Sequence, residues 1–517
     1  MLIKIQRKKM KSCFVVLLDL NQNWLGQNTK VFDAIGIQNS LNILLSQLQS
    51  KNNITTFLSI FGEHHLKEVE NLKLIFPQVN FHFSHFSEEI PRLQEAIKIN
   101  KVDSIIRIKA DNPIVGLELV DQGLEALFNY GFAVTWGFPV GVNLEFYRAS
   151  TIQSIEKVDY HKRPKELFLT EKQDETKVLR IQPSNNKLLR PELRWTTGSK
   201  RDFEFLQRLL NKSKDILNTS LSQWIKYSND TLIELPQTPV MLNIEPTNKC
   251  NLKCVMCPRD HMTRPLGTMS IKDYTKVMIQ AKEAGVSEIT LNGYGEPFIT
   301  EEVYEMVTLA KQYGFNIKIN TNGHYLTEER INKLLKDPPH ILSISLDGAT
   351  KEVYEKVRIN GNFDKVQNAI SLFLKLRKEQ NKEQDVQLTL QIIKMDETQK
   401  EVDDFCNYWK DKVDDVSVPN VHNWGGVIQK NGTLNDLKMT RYPCKELFRT
   451  MMVFYDGSVS ICCAVFDDNM NMGNIHKQPL KDIWNNSEYQ LLRKHHINGD
   501  FDKIDVCKDC NMWKVYG

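Results

Sequence analysis

Three closely spaced cysteines are the first residues in this chain that could do chemistry. Cys250, Cys254 and Cys257 are separated by four and three positions, so their thiols can converge on one face of a compact loop. Three thiolates can ligate an iron–sulfur cluster and leave one iron open to a small molecule. The alternatives are zinc, which would need a fourth ligand from elsewhere in the chain, and buried free cysteines.

A second group of cysteines lies near the end of the sequence. Its members are separated by 18, 45 and 3 positions: Cys444, Cys462, Cys507 and Cys510. Four thiolates can saturate a cluster and close it to substrate, which suits electron transfer or structure, and zinc is again the alternative. Cys463 follows Cys462 directly, and because side chains alternate along a strand we expect the two to point to opposite faces.

The composition excludes several classes of protein. Of 517 residues, 41% are of the types AVILMFWYC and 25% are charged, which excludes bulk disorder, and 10 cysteines are too few for a disulfide scaffold. The 67 Lys and Arg nearly balance the 64 Asp and Glu, so charge gives no case for nucleic acid or a membrane as partner. Since no apolar stretch suits a membrane span or an export signal, we expect a cytoplasmic protein.

Strands and helices alternate through most of the chain, which predicts an α/β fold. In residues 1–215, we expect a mainly parallel sheet covered by helices. Its predicted strands are 14–18, 54–61, 79–83 and 104–108, and its predicted helices include 40–50 and 90–100. Pro236 and Pro239 precede a new strand, and they predict a linker over residues 216–239.

Six further strand–helix units predict a partial (β/α)6 TIM barrel over residues 240–435. The predicted strands are 241–246, 288–293, 316–322, 341–347, 386–393 and 416–421. Such barrels place chemistry at the C-terminal ends of their strands, so the loop that carries Cys250 is expected at the barrel mouth. The last region, 436–517, is predicted to be a small Fe–S domain in which Asp456-Gly457 turns a hairpin into the strand of Cys462.

Polar and glycine residues follow the next three barrel strands. The motifs are Gly293-Tyr294-Gly295-Glu296-Pro297, Asn320-Thr-Asn322-Gly323 and Ser345-Leu-Asp347-Gly348, with Arg358 downstream. Glycine lets the backbone approach a ligand closely, and a carboxylate such as Glu296 can accept a hydrogen bond from an ammonium group. Taken one at a time, the Asn-Gly and Asp-Gly pairs are also ordinary turn dipeptides.

The order of these motifs behind CxxxCxxC resembles the radical S-adenosylmethionine (SAM) superfamily. The resemblance implies a [4Fe–4S] cluster on Cys250, Cys254 and Cys257 that binds SAM and starts hydrogen abstraction from a substrate. It also implies SAM contacts from residues at the strand ends. These are Gly293, Gly295, Glu296, Pro297, Asn320, Asn322, Ser345, Asp347 and Arg358. Tyr294 stands where a glycine is common in the family.

The C-terminal region resembles the SPASM/Twitch extension of radical SAM enzymes. The matching residues are Asp456-Gly457, Cys462-Cys463, Gly473-Asn474-Ile475, Leu480, Ile483-Trp484, Cys507 and Cys510. A full SPASM domain supplies seven cysteines and this region has five, so the resemblance implies one auxiliary [4Fe–4S] cluster, held by Cys444, Cys462, Cys507 and Cys510. The family needs a reductant such as flavodoxin or ferredoxin, and an auxiliary cluster can accept an electron when a carbinol is oxidised to a ketone.

The N-terminal region resembles cytidylyltransferases of the spore-coat-polysaccharide and acylneuraminate type. The matches lie at residues 107–113, 119–121, 141–146, 193–197 and 202–203. Asp111 falls at a magnesium-binding aspartate, but the second such aspartate falls at Gly198, and the nucleotide loop 19–30 keeps only Lys30. We therefore expect a degenerate nucleotidyltransferase-like (GT-A/Rossmann-like) domain that holds a nucleotide-linked sugar or offers a partner surface.

Together these features predict a radical SAM enzyme that oxidises or otherwise modifies a sugar, nucleotide-sugar or aminocyclitol-like substrate in carbohydrate or secondary metabolism. The alternatives are a peptide-modifying radical SAM/SPASM enzyme and a cluster-bearing scaffold without activity. His422-Asn423-Trp424 ends the sixth strand and is either a proton acceptor in the pocket or part of the core. The pairs His64-His65 and His495-His496 are interpreted as surface residues.

Overall fold

The computed structural model divides the chain into two compact units, Met1–Leu235 and Pro236–Gly517. It describes residues 10–20, 30–35, 38–156, 163–170, 177–183, 185–198, 200–213, 215–234, 238–428 and 440–514. Among the helices within these ranges, none is long and apolar enough to cross a bilayer.

The first unit is built on a seven-stranded sheet in the order β5-β4-β1-β6-β8-β7-β9. Its strands are β1 (Ser12–Asp19), β2 (Ala34–Ile35), β3 (Gln38–Asn39), β4 (Thr55–Phe61), β5 (Asn80–Phe83), β6 (Ser104–Lys109), β7 (Phe132–Thr135), β8 (Glu145–Arg148) and β9 (Val178–Ile181). Its helices are α1 (Ser40–Gln49), α2 (Leu66–Ile75), α3 (Glu89–Asn100), α4 (Val120–Ala126), α5 (Ala149–Gln153), α6 (Pro164–Thr170), α7 (Lys200–Asn211) and α8 (Leu221–Glu234). Strands β2 and β3 form a separate antiparallel pair. Within the seven-stranded sheet only β8 runs antiparallel to its neighbours, so the predicted mainly parallel sheet is confirmed.

Helix α8 occupies most of the segment predicted to be a linker. Leu221, Trp224 and Ile225 are buried in the core of the first unit, and Ser228 accepts a hydrogen bond from the Trp195 indole nitrogen at 2.9 Å. The linker prediction of 216–239 is wrong over this helix. Pro236 and Pro239 follow this helix in the sequence. Leu221, Trp224 and Ile225 are spaced so that they lie on one face of the helix, and that face packs into the core.

The second unit is built on a nine-stranded sheet in the order β17-β16-β14-β13-β12-β10-β18-β19-β20. The strands of this unit are β10 (Met241–Ile244), β11 (Lys253–Cys254), β12 (Glu288–Leu291), β13 (Asn316–Thr321), β14 (Ile341–Ser345), β15 (Arg358–Ile359), β16 (Gln387–Gln391), β17 (Asp415–Ser417), β18 (Thr450–Val453), β19 (Ser458–Ser460) and β20 (Asn471–Asn474). Its helices are α9 (Ile271–Ala284), α10 (Glu302–Gln312), α11 (Glu328–Lys336), α12 (Lys351–Val357), α13 (Phe363–Glu379), α14 (Val402–Trp409), α15 (Glu446–Arg449), α16 (Leu480–Trp484), α17 (Ser487–Asn498) and α18 (Asp505–Lys508).

The six predicted barrel strands are present as β10, β12, β13, β14, β16 and β17, and neighbours pair in parallel. The C-terminal region is less separate than its predicted boundary at 436 suggests, because β18 pairs in parallel with β10 and extends the same sheet. Strands β19 and β20 then add antiparallel to it. The barrel and the cysteine-rich region therefore share one sheet and one hydrophobic core.

Candidate active site

The loop that carries the first three cysteines leaves the end of β10 and is tied back to the barrel. In its short strand β11, Cys254 pairs with Arg358 of β15, and the backbone N–H of Val255 donates to the carbonyl of Val357 at 2.9 Å. The side chains of Cys250, Cys254 and Cys257 line one cavity of about 380 Å³. Burial raises the pKa of the Cys257 thiol to about 12, so a thiolate here requires a cationic ligand such as iron.

The glycine motif after β12 supports this cysteine loop by close backbone contact. A Cβ atom on Gly295 would lie 2.0 Å from the carbonyl oxygen of Thr247 and 2.8 Å from that of Lys249. The next residue, Glu296, donates its backbone N–H to the same Lys249 oxygen at 2.9 Å. The sequence therefore needs glycine at 295 because two backbone segments touch there.

The Glu296 carboxylate is buried and ties the ends of two strands together. One oxygen accepts from the Thr321 hydroxyl at 2.6 Å and from the Phe298 N–H at 3.1 Å, and the other accepts from the Asn322 N–H at 2.7 Å. Burial raises the pKa of Glu296, and these hydrogen bonds act in the opposite direction. Because a carboxylate offers about four acceptor positions, one remains for a ligand in the cavity.

Arg358 lies beside the cysteine loop and lines the same cavity. Its guanidinium forms an ion pair with Asp347, with Nε 2.8 Å from Oδ2, and another nitrogen donates to Cys254 Sγ at 3.7 Å. Asp347 also accepts from the N–H of Ile393 at 2.7 Å, which fixes the pair. The buried carboxylate raises the pKa of Arg358, so the guanidinium stays charged beside the sulfur.

Two asparagines present buried acceptors to the same cavity. Within the described part of the chain, Asn292 Oδ1 and Asn320 Oδ1 have no hydrogen-bond partner, although both residues line the cavity. A buried polar atom without a partner costs stability, so such atoms mark positions where a ligand can donate hydrogen bonds. Asn320 was predicted from its strand-end motif. Asn292 was not, although it directly follows β12 and precedes Gly293.

The second group of cysteines lines a separate, smaller cavity of about 30 Å³. Cys444, Cys462, Cys507 and Cys510 face it together with His496 and Arg441. Cys463 instead lines the first cavity, so Cys462 and Cys463 lie on different sides of the wall, and Met512 contributes to both cavities. Among the described residues, no three Cys, His, Asp or Glu side chains lie close enough together to hold a single metal ion.

Two protein families match the sequence of the second unit. Residues 244–408 match "Radical SAM superfamily", and residues 444–511 match "Iron-sulfur cluster-binding domain", the SPASM family. The chain carries a radical SAM domain and a SPASM domain. It is therefore an enzyme with oxidoreductase-like chemistry that uses SAM, a SAM-binding [4Fe–4S] cluster and auxiliary iron–sulfur ligation.

Relatives of the radical SAM domain act on different kinds of molecule. The chain is 26% identical over 279 residues to the S-adenosyl-L-methionine-dependent 2-deoxy-scyllo-inosamine dehydrogenase of Niallia circulans, which covers 53% of this chain and 94% of that protein. It is 32% identical over 132 residues to the mycofactocin maturase MftC of Mycobacterium tuberculosis, which covers 26% of this chain and 34% of that protein.

Solved structures also resemble parts of the chain. BtrN in complex with AdoMet and 2-DOIA matches with a TM-score of 0.40 and 23% identity, over 54% of this chain and 94% of that one. A cytidylyltransferase from Leptospira borgpetersenii matches with a TM-score of 0.38 and 17% identity, over 43% of this chain and 96% of that one.

Most of the predicted SAM contacts line the first cavity of the radical SAM domain. Cavity-lining residues are Gly293, Gly295, Glu296, Asn320, Asn322, Ser345 and Arg358. Pro297 and Asp347 are not among the residues that line this cavity. Pro297 begins a short 3-10 turn, and Asp347 holds two lining residues, Arg358 and Ile393. Their contacts to SAM, like those of the other strand-end residues, stay predictions from the resemblance.

The sequence motifs did not predict Tyr294 as a lining residue of this cavity, and they left two roles open for His422. Tyr294, at the position where the family favours glycine, donates its hydroxyl to the Cys463 carbonyl at 2.5 Å and so joins the glycine motif to the SPASM domain. His422 lies against Trp424 with ring centroids 3.9 Å apart, and burial lowers the pKa of His422 to about 4. Only the fold brings these side chains to one cavity.

One histidine of the SPASM domain contradicts its interpretation as a surface residue. His496 is 1% exposed and contacts the second group of cysteines, whereas His495 is partly exposed and lies 3.4 Å from Asp500. The pair lies on α17, where neighbours point in different directions, and the sequence alone does not show which of the two faces inward.

In the first unit, the structure describes part of the expected nucleotide site. Asp111 follows β6 and is half-buried, with a buried Oδ1 atom, and burial raises the pKa of its carboxyl. A Cβ on Gly198 would lie 3.5 Å from Asp111 Oδ2, so the predicted position of the missing second aspartate is adjacent to the first. Residues 21–29 of the predicted nucleotide loop and the side chain of Lys30 lie outside the described residues.

Proposed function

We propose that this enzyme oxidises a carbinol of a sugar-like or aminocyclitol-like small molecule. The observation that carries the proposal is the second cavity, where four cysteines converge beside the first cavity across a wall that includes Met512 and Cys463. Oxidation of a carbinol to a ketone removes two electrons, and a cluster ligated by four thiolates is a plausible acceptor for the second of them.

The residues of the first cavity fit a cluster and SAM by their chemistry. Cys250, Cys254 and Cys257 would hold the cluster, and the unpartnered oxygens of Asn292 and Asn320 would accept hydrogen bonds from SAM. When bound, SAM and its cluster supply the one-electron chemistry that begins hydrogen abstraction from the substrate. This chain's own residues would orient SAM within the cavity.

Glu296 and Arg358 would orient the two ends of the amino acid portion of SAM. The remaining acceptor position of Glu296 suits the ammonium group, and the charged guanidinium of Arg358 suits the carboxylate. Both groups are already fixed by neighbours, Glu296 by Asn322 and Arg358 by Asp347, so binding would cost little further ordering.

Loss of a carbinol proton requires an acceptor in the same cavity. His422 lines it, and within the described residues its Nδ1 has no hydrogen-bond partner. Because burial lowers the pKa of His422 to about 4, the ring is neutral near pH 7, and one of its ring nitrogens can accept a hydrogen bond from the carbinol hydroxyl.

The enzyme would receive its electrons from a flavodoxin or ferredoxin. The compartment in which it works would be the cytoplasm.

Modification of a peptide is the second candidate. The 32% identity to a mycofactocin maturase favours it, although that match spans only 34% of the maturase. The inosamine dehydrogenase supports the small-molecule proposal, since its match spans 94% of that enzyme. Both candidates use the same radical SAM domain, so substrate trials must separate them.

The role proposed for the first unit is to bind the small-molecule substrate. We infer that it holds a nucleotide-linked sugar without transferring a nucleotide, since Gly198 replaces one of the two carboxylates that a divalent cation needs beside Asp111. Turnover of CTP by the full chain would contradict this inference.

The test is anaerobic reconstitution followed by substrate trials. Iron and sulfide analysis should give two [4Fe–4S] clusters per chain, and Cys250→Ala should abolish release of 5′-deoxyadenosine from SAM. Cys507→Ala should spare that cleavage more than ketone formation, with 2-deoxy-scyllo-inosamine and nucleotide-linked sugars as trial substrates. Zinc without labile sulfide would refute the proposal, and turnover of a precursor peptide alone would favour the second candidate.

A further inference from the structure

His496 joins two of the four cysteines of the second cavity. Its Nδ1 lies 3.1 Å from the backbone nitrogen of Cys444, and its Nε2 lies 3.4 Å from Cys507 Sγ. A backbone N–H can only donate, so Nδ1 must accept. The proton of the neutral imidazole is then on Nε2, which donates to the Cys507 sulfur.

Neighbouring groups hold this histidine and its sulfur partner in place. The imidazole is buried on α17 and contacts the Phe501 ring edge-on, with centroids 5.2 Å apart. On the other side, the Arg441 guanidinium donates to the backbone carbonyls of Cys507 and Lys508, the latter at 2.9 Å. The N–H of His496 is therefore aimed at the sulfur by rigid surroundings.

We infer that His496 is a positioning residue that makes the auxiliary centre easier to reduce. Reduction by one electron increases the negative charge on the ligand sulfurs, so an N–H that donates to Cys507 Sγ stabilises the reduced form more than the oxidised form. A more positive reduction potential would favour transfer of the second substrate electron to this centre. This inference rests on the proposed function only in assuming that the four cysteines hold a cluster.

The experiment uses the full chain with Cys250, Cys254 and Cys257 replaced by alanine, so that all bound iron belongs to the auxiliary centre. In that background, His496→Asn keeps an acceptor for the Cys444 N–H but removes the donor to sulfur. His496→Gln places an amide N–H near the position of Nε2. The matched control is His495→Asn, because His495 is the neighbouring residue and pairs with Asp500 instead.

The midpoint potential of each variant is measured by a redox titration followed by electron paramagnetic resonance, together with iron and sulfide content. We expect a more negative midpoint potential for His496→Asn, recovery of at least half of that shift for His496→Gln, and no shift for His495→Asn. An unchanged potential in His496→Asn with iron retained would overturn the inference and leave the proposed function standing.

Two other outcomes also decide the question. Absence of iron in the alanine background with His496 intact would overturn both the auxiliary centre and this inference. Loss of iron from both His496 variants, with the fold and the His495→Asn control intact, would show that His496 is needed to assemble the centre, and it would overturn the assigned role in setting its potential.

Discussion

Single side chains in the first cavity divide into those that hold the cysteine loop and those that face the ligand. Gly295 belongs to the first kind, because its missing side chain lets the glycine motif touch Thr247. Asn292 and Asn320 belong to the second, with acceptors that have no partner among the described residues. Glu296 does both, since three of its acceptor positions are taken by the chain and one remains.

Gly295→Ala should prevent assembly of the catalytic cluster without unfolding the protein. The added Cβ would meet the Thr247 carbonyl at 2.0 Å and displace the cysteine loop. Iron analysis should show loss of one cluster of the two. The control is Gly285→Ala at the end of α9, where φ is +74° but a Cβ meets nothing within 4 Å. That change should cost about 1 kcal/mol of stability and no iron. Full iron in Gly295→Ala would contradict the explanation.

Binding of SAM should weaken as the pH falls through the titration of Glu296. Burial raises the pKa of this carboxyl, and only its ionised form attracts an ammonium group. Glu296→Gln removes the charge, so we expect about 30-fold weaker binding, equivalent to about 2 kcal/mol, and a flatter pH profile. Equilibrium dialysis of SAM against the reconstituted enzyme measures both. An equally steep profile in the variant would assign the pH dependence to another group.

At the scale of elements, the ends of parallel strands gather residues that are far apart in sequence. The ends of β12, β13 and β14 bring their motifs around the loop that follows β10. The two-residue pairing of β11 with β15 sets Cys254 opposite Arg358. In the first unit, the end of β6 and the segment before α7 bring Asp111 and Gly198 together in the same way.

Gly198→Asp should restore a divalent cation site in the first unit. The new Cβ would lie 3.5 Å from Asp111 Oδ2, so two carboxylates could share one cation. We expect affinity for Mn²⁺ to rise about tenfold, or about 1.4 kcal/mol, as measured by electron paramagnetic resonance of free Mn²⁺. Adding Asp111→Asn should abolish the gain. Unchanged affinity in Gly198→Asp would mean that the two positions do not form a cation site.

At the scale of the whole molecule, the two units have separate hydrophobic cores. One core lies around the first sheet and includes Phe14 and Trp195, and the other lies around the second sheet and includes Leu242 and Trp484. In the second unit, β18 joins the barrel sheet beside β10, so the SPASM domain and the barrel should unfold together.

Removal of iron should therefore destabilise one unit and leave the other unchanged. We expect two transitions in anaerobic calorimetry, and chelation of iron should lower the Tm of only one of them. Cys462→Ala should lower the same transition, whereas Trp195→Ala, in the core of the first unit, should lower the other. A single transition that shifts as a whole would contradict this independence.

Local patterns were sufficient to predict much of this protein. The spacing of Cys250, Cys254 and Cys257 and the six alternating strand–helix units depend on short stretches of sequence, and they predicted the class of cofactor and the α/β fold. The structure decided what depends on distant contacts. It packed α8 into a core, inserted β18 into the barrel sheet and directed Cys463 into the first cavity. It also buried His496 rather than His495, because packing of α17 against the cysteines, rather than residue type, selects the inward side chain.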